Sequence, residues 1–257
     1  MNELFSSVII VIENSCRKSL SVSLTVWYVL ASVLIQYFDI FQSTHILLLL
    51  GGEYLRYFMF NKPRGCISAC SDPRHKTVLD YFPECEREGL FHVGRLDKDT
   101  EGFLIITDDG ELCRLVAEPQ FSTSKTYRFY AKGEVNEQKL EALRCGVRIS
   151  ARDEALTQPA EVKLLGSCTM REISHLLDDD DARLRHTRKG DVQLAHIEIT
   201  ITEGRKHQVK KMARAVGMYV VYLERIDISG IHLDSSLSRG EYRELTETEV
   251  RLLKNVN

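Results

Sequence analysis

The chain has 257 residues, 44% hydrophobic and 28% charged, with 34 Lys and Arg against 37 Asp and Glu for a formal net charge of −3. That balance fits an ordinary globular protein with one large or two small domains, and it argues against a disordered chain or a uniformly basic nucleic-acid binder. The seven cysteines (Cys16, Cys66, Cys70, Cys85, Cys113, Cys145 and Cys168) are odd in number and scattered, so free thiols in a reducing cytosol are the simpler reading than zinc or a disulfide scaffold.

Charge is segregated along the chain. Acids gather at Glu84, Glu86 and Glu88 and at Asp178 to Asp181, while bases collect in Arg56 to Lys76 and Arg205 to Arg214. A protein that is acidic overall can therefore still present a basic face to phosphate.

Residues 1–55 read as an atypical apolar extension, and residues 56–257 as the main domain. No charged residue occurs from Ser19 to Phe38, and Ile46 to Leu50 adds a second apolar run. Three readings stand open for it: a membrane anchor flanked by Arg17 and Lys18, a buried part of the core, or a start or reading frame upstream of the natural one. No small-residue cleavage site follows, so a secretory signal is not expected.

Tyr57 to Phe60 predicts a short strand, turned by Asn61-Lys62-Pro63-Arg64-Gly65. Thr77 to Phe82 suits a short helix capped by Thr77 and stopped near Pro83. Leu90–Val93 and Phe103–Thr107 are apolar runs around a charged turn that opens with Gly94, and this turn mounts Asp97 among Arg95, Lys98, Asp99 and Glu101. A carboxylate fixed among cations between strands is a way to mount a catalytic acid or nucleophile, although such clusters are often only solvated surface.

Further on, Glu111 to Ala117 predicts a helix that ends before Pro119. Lys125 to Ala131 alternates like a half-buried strand, with Lys125, Tyr127 and Phe129 on one face. Asn136 to Leu143 predicts a helix, and Gly146 to Ile149 and Pro159 to Leu164 predict strands. Residues 166–190 are polar enough to expect a surface insertion, and the acidic run at Asp178 lacks the ligand spacing of a calcium loop. Ala195 to Ile201 alternates as a strand leading to Glu203-Gly204. Arg205 to Val216 predicts a basic amphipathic helix stopped by Gly217, followed by strands over Tyr219 to Glu224 and Ile226 to Leu233. Thr246 and Glu249 have capping-box spacing at the start of a last helix.

Gly94-Arg95-Leu96-Asp97, then Asp99-Thr100-Glu101-Gly102 and Thr107-Asp108-Asp109-Gly110, resembles the signature of the pseudouridine synthases. Asn61-Lys62-Pro63-Arg64-Gly65, Asp72-Pro73-Arg74, Thr77-Val78-Leu79-Asp80, Lys125-Thr126-Tyr127 and Glu203 to Met212 follow in that family's order, so the resemblance covers residues about 56 to 250. It is most similar to the type that modifies small-subunit ribosomal RNA, a preference carried by Asp72-Pro73-Arg74 and Gly240-Glu241-Tyr242-Arg243.

The resemblance implies an α+β fold, with a mixed, mainly antiparallel central sheet flanked by helices. It also implies isomerisation of uridine to pseudouridine with no cofactor and no metal. By motif, Asp97 matches the aspartate that acts on the ribose, Tyr127 the aromatic that stacks on the base, and Lys210 the basic residue that pairs with the aspartate, with Lys211 as its alternative. Lys62, Arg64, Arg95, Lys125, Arg205, His207 and Lys211 match positions expected to face RNA. The expected partner is ribosomal RNA or a pre-ribosomal particle, with the protein acting as a monomer in the cytoplasm. Rival readings are the same chemistry on large-subunit ribosomal RNA and a non-catalytic RNA-binding or assembly factor.

Overall fold

The structure is a computed structural model, which describes residues 55–150, 154–177 and 192–254. Its centre is a nine-stranded sheet in the order β5-β6-β4-β7-β3-β1-β9, with β2 paired to β3 and β8 to β7. The strands are β1 (Tyr57–Lys62), β2 (Phe91–Val93), β3 (Glu101–Thr107), β4 (Lys125–Lys132), β5 (Glu161–Thr169), β6 (Gln193–Ile201), β7 (Tyr219–Ile228), β8 (Ile231–His232) and β9 (Tyr242–Glu244). Their pairings are antiparallel apart from β3 with β7, which meet in parallel at Glu101↔Glu224 and Gly102↔Arg225. The expected mixed, mainly antiparallel sheet is therefore present.

Helices cover both faces. On one, α1 (Gly110–Ala117) and α4 (Glu247–Lys254) bury Leu112, Val116 and Leu253 against Met59, Phe103 and Ile105. On the other, α2 (Glu137–Cys145) and α3 (Gln208–Ala215) bury Leu140, Leu143, Val209 and Met212 with Phe58, Phe60, Leu104, Ile106 and Phe129. Cover on both sides explains why β3 is buried at every residue instead of alternating. β4 keeps the alternation: Tyr127, Phe129 and Ala131 are buried while Arg128 and Lys132 are exposed.

The parallel junction of β3 with β7 is close. Gly102 has φ +99°, and a Cβ there would stand 2.2 Å from the Arg225 carbonyl oxygen, so only glycine lets these strands meet. This contact sets the first residues of β3, and with them the loop 94–100 just before it.

Several expectations needed revision. The helix expected from Arg205 begins at Gln208, because His207 adopts a left-handed backbone (φ +55°) and Arg205-Lys206 form a turn closed by Gln208 N–H donating to Arg205 O at 3.1 Å. Gly146 to Ile149 is not a strand; it makes one isolated bridge, Arg148↔Leu156. The strand expected at Pro159 to Leu164 runs Glu161–Thr169 with a register shift after Leu164. Residues 166–177, expected in a surface insertion, are anchored by buried Met170, Ile173 and Leu177 against Leu194, Val221 and Tyr222. The two strands expected over Tyr219 to Leu233 are one ten-residue strand and a short hairpin return.

The caps expected at Thr77 and Thr246 are present, with Thr77 N–H donating to Asp80 at 2.7 Å and Thr246 N–H to Glu249 at 2.7 Å. Asp109 and Asn136 also cap α1 and α2, two caps not named from the sequence. The acidic run Asp178 to Asp181, the apolar stretch Ser19 to Phe38 and the readings offered for residues 1–54 lie outside the described residues. Among the described residues no helix is long and apolar enough to cross a membrane.

Candidate active site

The loop 94–100 is fixed from beneath. Leu96 is 5% exposed, and Ser68 Oγ both donates to its carbonyl at 2.9 Å and accepts from its N–H at 3.0 Å. Lys62 is wholly buried, and its ammonium donates to the carbonyls of Pro63 (3.0 Å), Asp97 (3.1 Å) and Thr100 (3.0 Å). Gly65 N–H donates to Lys98 O at 2.8 Å and Thr100 N–H to Asp97 O at 3.1 Å. Burial holds the Lys62 pKa below the usual lysine value, against the opposing pull of Cys66, Glu101, Asp99 and Asp97. A buried cation bonded to three carbonyls leaves the Asp97 backbone little freedom.

Above that clamp the Asp97 side chain is 27% exposed and meets two groups delivered by the His207 turn and α3. Lys210 Nζ lies 3.0 Å from Asp97 Oδ2, and His207 Nε2 lies 3.4 Å from Oδ1. The same ammonium reaches Asp99 Oδ1 at 2.5 Å. The position of Lys210 follows from helical periodicity: Val209, Met212 and Ala213 face the core, which turns Lys210, Lys211 and Arg214 outward.

A cleft of about 730 Å³ opens between the Asp97 loop and residues 204–207. Asp97, Arg95, Lys98 and His207 line it, and Lys125, Tyr127 and Arg225 contribute from the sheet. Tyr127 is 8% exposed, and a register shift between Thr126 and Tyr127 in the β4–β7 pairing sets where its ring points. Arg225 Nη1 lies 3.5 Å from the Tyr127 hydroxyl, and Arg225 Nε donates to Phe103 O at 2.7 Å. Burial first, and then the charge of Arg225, brings the Lys125 pKa down to about 8. A second cleft of about 280 Å³ is lined by Arg64, His207, Lys210, Lys211 and Arg214, with the half-exposed Tyr219 at its edge.

The sequence-derived set is thus largely gathered in one place. Asp97, Tyr127, Arg95, Lys125, Arg205 and His207 share the larger cleft, and Arg64 and Lys211 line its neighbour. Of the two lysines offered as Asp97's partner, Lys210 makes the contact. Lys62 is a correction: expected to face RNA, it is fully buried beneath the loop and cannot meet phosphate. Arg205 lines the cleft, but its guanidinium binds Glu203 at 3.0 Å and the carbonyls of Ala155 and Leu156 at 3.2 and 2.8 Å, which makes it a brace for the turn.

Arg225 was not named from the sequence, and Asp99 was named only as a neighbour of Asp97 in the loop, without a role. Alternation along β7 puts Arg225 on the buried face with Val221, Leu223 and Asp227, and a cation in an apolar register was the available signal. Among the described residues no group of three or more His, Cys, Asp or Glu could hold a metal, and the six cysteines there are free thiols.

Comparison with known proteins defines the class. A family profile described as RNA pseudouridylate synthase matches residues 56–215. The chain belongs to this family, whose members are isomerases. It is 40% identical over 198 residues to the uncharacterized RNA pseudouridine synthase YtzG of Bacillus subtilis, covering 77% of this chain and 72% of that one. It is 36% identical over 195 residues to the ribosomal small subunit pseudouridine synthase A of Escherichia coli, covering 76% and 72%. A crystal structure of a pseudouridylate synthase superposes with a TM-score of 0.64 at 33% identity, over 79% of this chain and 75% of that one.

Proposed function

We propose that this protein converts uridine to pseudouridine in ribosomal RNA, with the small-subunit RNA as target, and that Asp97 is the group that acts on the ribose. The observation that carries this is the placing of Asp97: it lines a cleft together with Tyr127, and its carboxylate lies 3.0 Å from the Lys210 ammonium. The small-subunit preference rests on the relatives that bear that name, at 34–36% identity over about three quarters of the chain.

A uridine stacked in folded RNA cannot bring its sugar to a side chain, so the nucleotide must turn out into the cleft. The Tyr127 ring replaces the lost stacking, an exchange worth about 1–3 kcal/mol. Asp97, held in one direction by Lys210 and His207, acts on the ribose as the bond from C1′ to N1 breaks; the base turns and rejoins through C5. Phosphates on either side meet Arg64, Arg95, Lys211 and Arg214, whose attraction is salt-sensitive and largely blind to sequence. Choice of uridine then falls to RNA shape and loop contacts. The protein acts on the RNA or a pre-ribosomal particle as a monomer in the cytoplasm.

The test is to map pseudouridines across both ribosomal RNAs in cells with and without the gene. One small-subunit position that loses its pseudouridine supports the reading. A lost large-subunit position instead moves the target, and an unchanged map argues for a non-catalytic assembly role.

A further inference from the structure

Arg225 lines the cleft that holds Asp97 and carries a buried donor without a partner among the described residues. It is 2% exposed, and the described residues leave its Nη2 buried without a hydrogen-bond partner. Buried guanidinium nitrogens are almost always satisfied, and leaving one bare costs free energy, so an orphan in a native site calls for an explanation. The rest of the group is held: Nε donates to Phe103 O at 2.7 Å, and Nη1 is at the long limit of a bond to the Tyr127 hydroxyl, 3.5 Å. The close meeting of β3 and β7 at Gly102 fixes the backbone that carries it. Arg225 lines the cleft that holds Asp97, and Lys125 lines it too. Two cations on one desolvated floor favour negative charge between them, and Arg225 is one cause of the lowered Lys125 pKa.

We propose that Arg225 is a substrate-contacting catalytic residue that donates its free Nη2 hydrogen to a carbonyl oxygen of the flipped uracil and holds the negative charge that the base carries while it is detached.

The inference rests on the reaction proposed above. When the C1′–N1 bond breaks, its electron pair stays with the uracil, spread over N1 and both carbonyl oxygens. Asp97 meanwhile takes up either C1′ or a ribose proton and later returns it. After the base turns, C5 bonds to C1′, the C5 hydrogen leaves as a proton and N1 ends protonated, so product and substrate are isomers. A guanidinium stays charged at any working pH and is already fixed, so it stabilises the detached anion without reorganising. Neutral uracil in the ground state gains less from it, and this difference is what accelerates a reaction.

The experiment compares wild type, Arg225→Lys and Arg225→Met on the target RNA fragment, reading single-turnover rate and RNA affinity separately, with folding followed by circular dichroism. The expected result for Arg225→Met is a rate loss of about 10²-fold or more, the scale of removing one fixed donor to a developing oxyanion. Affinity is expected to stay within about threefold of wild type. Arg225→Lys keeps the charge but not the fork and falls between them.

RNA carrying 2-thiouridine or 4-thiouridine at the target weakens one acceptor at a time. One of the two is expected to slow wild type yet leave Arg225→Met, or Arg225→Lys if the Met variant does not fold, with no added loss. Equal slowing of wild type and variant by both thio-substitutions would overturn the proposal, as would a folded Arg225→Met that turns over at the wild-type rate. Wild type run alongside separates the two claims: no product from it sinks the reaction itself, whereas the ratios between variants test Arg225 alone.

Discussion

Lys210 is shared between Asp97 and Asp99, its ammonium 3.0 Å from one carboxylate and 2.5 Å from the other. The loop therefore carries two acids two residues apart around one cation, which arrives from a helix more than a hundred residues later in the chain. Lysine supplies a point charge, not a fork, so the cation can serve both acids without fixing either in a bidentate pair.

Replacing Lys210 by Ala should leave two neighbouring carboxylates without their common partner and let Asp97 swing. The expected loss in single-turnover rate is about 10²-fold, the usual cost of a misplaced reacting group. Lys210→Arg should retain more of the rate than Lys210→Ala. Quench-flow measurement of pseudouridine formation checks both, and equal loss in the two variants would mean that charge at this position is not what matters.

Lys62 acts through the backbone. Lys62→Met keeps the length of the side chain but strips the donors from the carbonyls of Pro63, Asp97 and Thr100. Stability should fall by about 2–4 kcal/mol, as for other broken buried networks. Urea unfolding reads this directly. Because Lys62 touches no RNA, the salt slope of RNA binding should not change.

Gly102→Ala would push a Cβ against the Arg225 carbonyl at 2.2 Å in a backbone of φ +99°. A loss of about 3 kcal/mol or more is expected, since both the clash and the conformation oppose it. Thermal unfolding followed by circular dichroism is the check, and a melting temperature within a degree or two of wild type would contradict the tight β3–β7 junction.

Lys125 gives a pH signature. Its pKa is about 8 in the folded protein, below the ordinary value of 10.5. Below pH 8 both states hold the proton and its contribution is flat. From about 8 to 10.5 the unfolded chain binds more protons, so stability rises with pH by this group's share. The wild type should gain on Lys125→Met across that window in urea titrations at pH 7, 8.5 and 10, and a constant gap between them would contradict a desolvated lysine.

Much of this site was legible in the sequence because it is local. Asp97, Tyr127 and Lys210 take their roles from the family resemblance, and each of its motifs is a short contiguous stretch; the turn, the alternation and the apolar stripe place them on a loop, a strand and a helix but assign no chemistry. What escaped was non-local. Lys62 reads as a charged residue in a turn, and only the tertiary fold reveals three carbonyls around its ammonium. Arg225 fell between the two strands expected over Tyr219 to Leu233, and only the continuous β7 carries the alternation through it and puts it on the buried Leu223 face. The late start of α3 depended on the left-handed backbone of His207, a conformation that periodicity does not signal.

The central claim is that one carboxylate does the work on the sugar. Purified wild type and Asp97→Asn, each mixed in excess with the same small-subunit ribosomal RNA, answer it most directly. Wild type should form one pseudouridine per RNA; the Asn variant, equally folded and binding the RNA as tightly, should form none. Pseudouridine appearing at a comparable rate with Asn at position 97 would contradict the assignment.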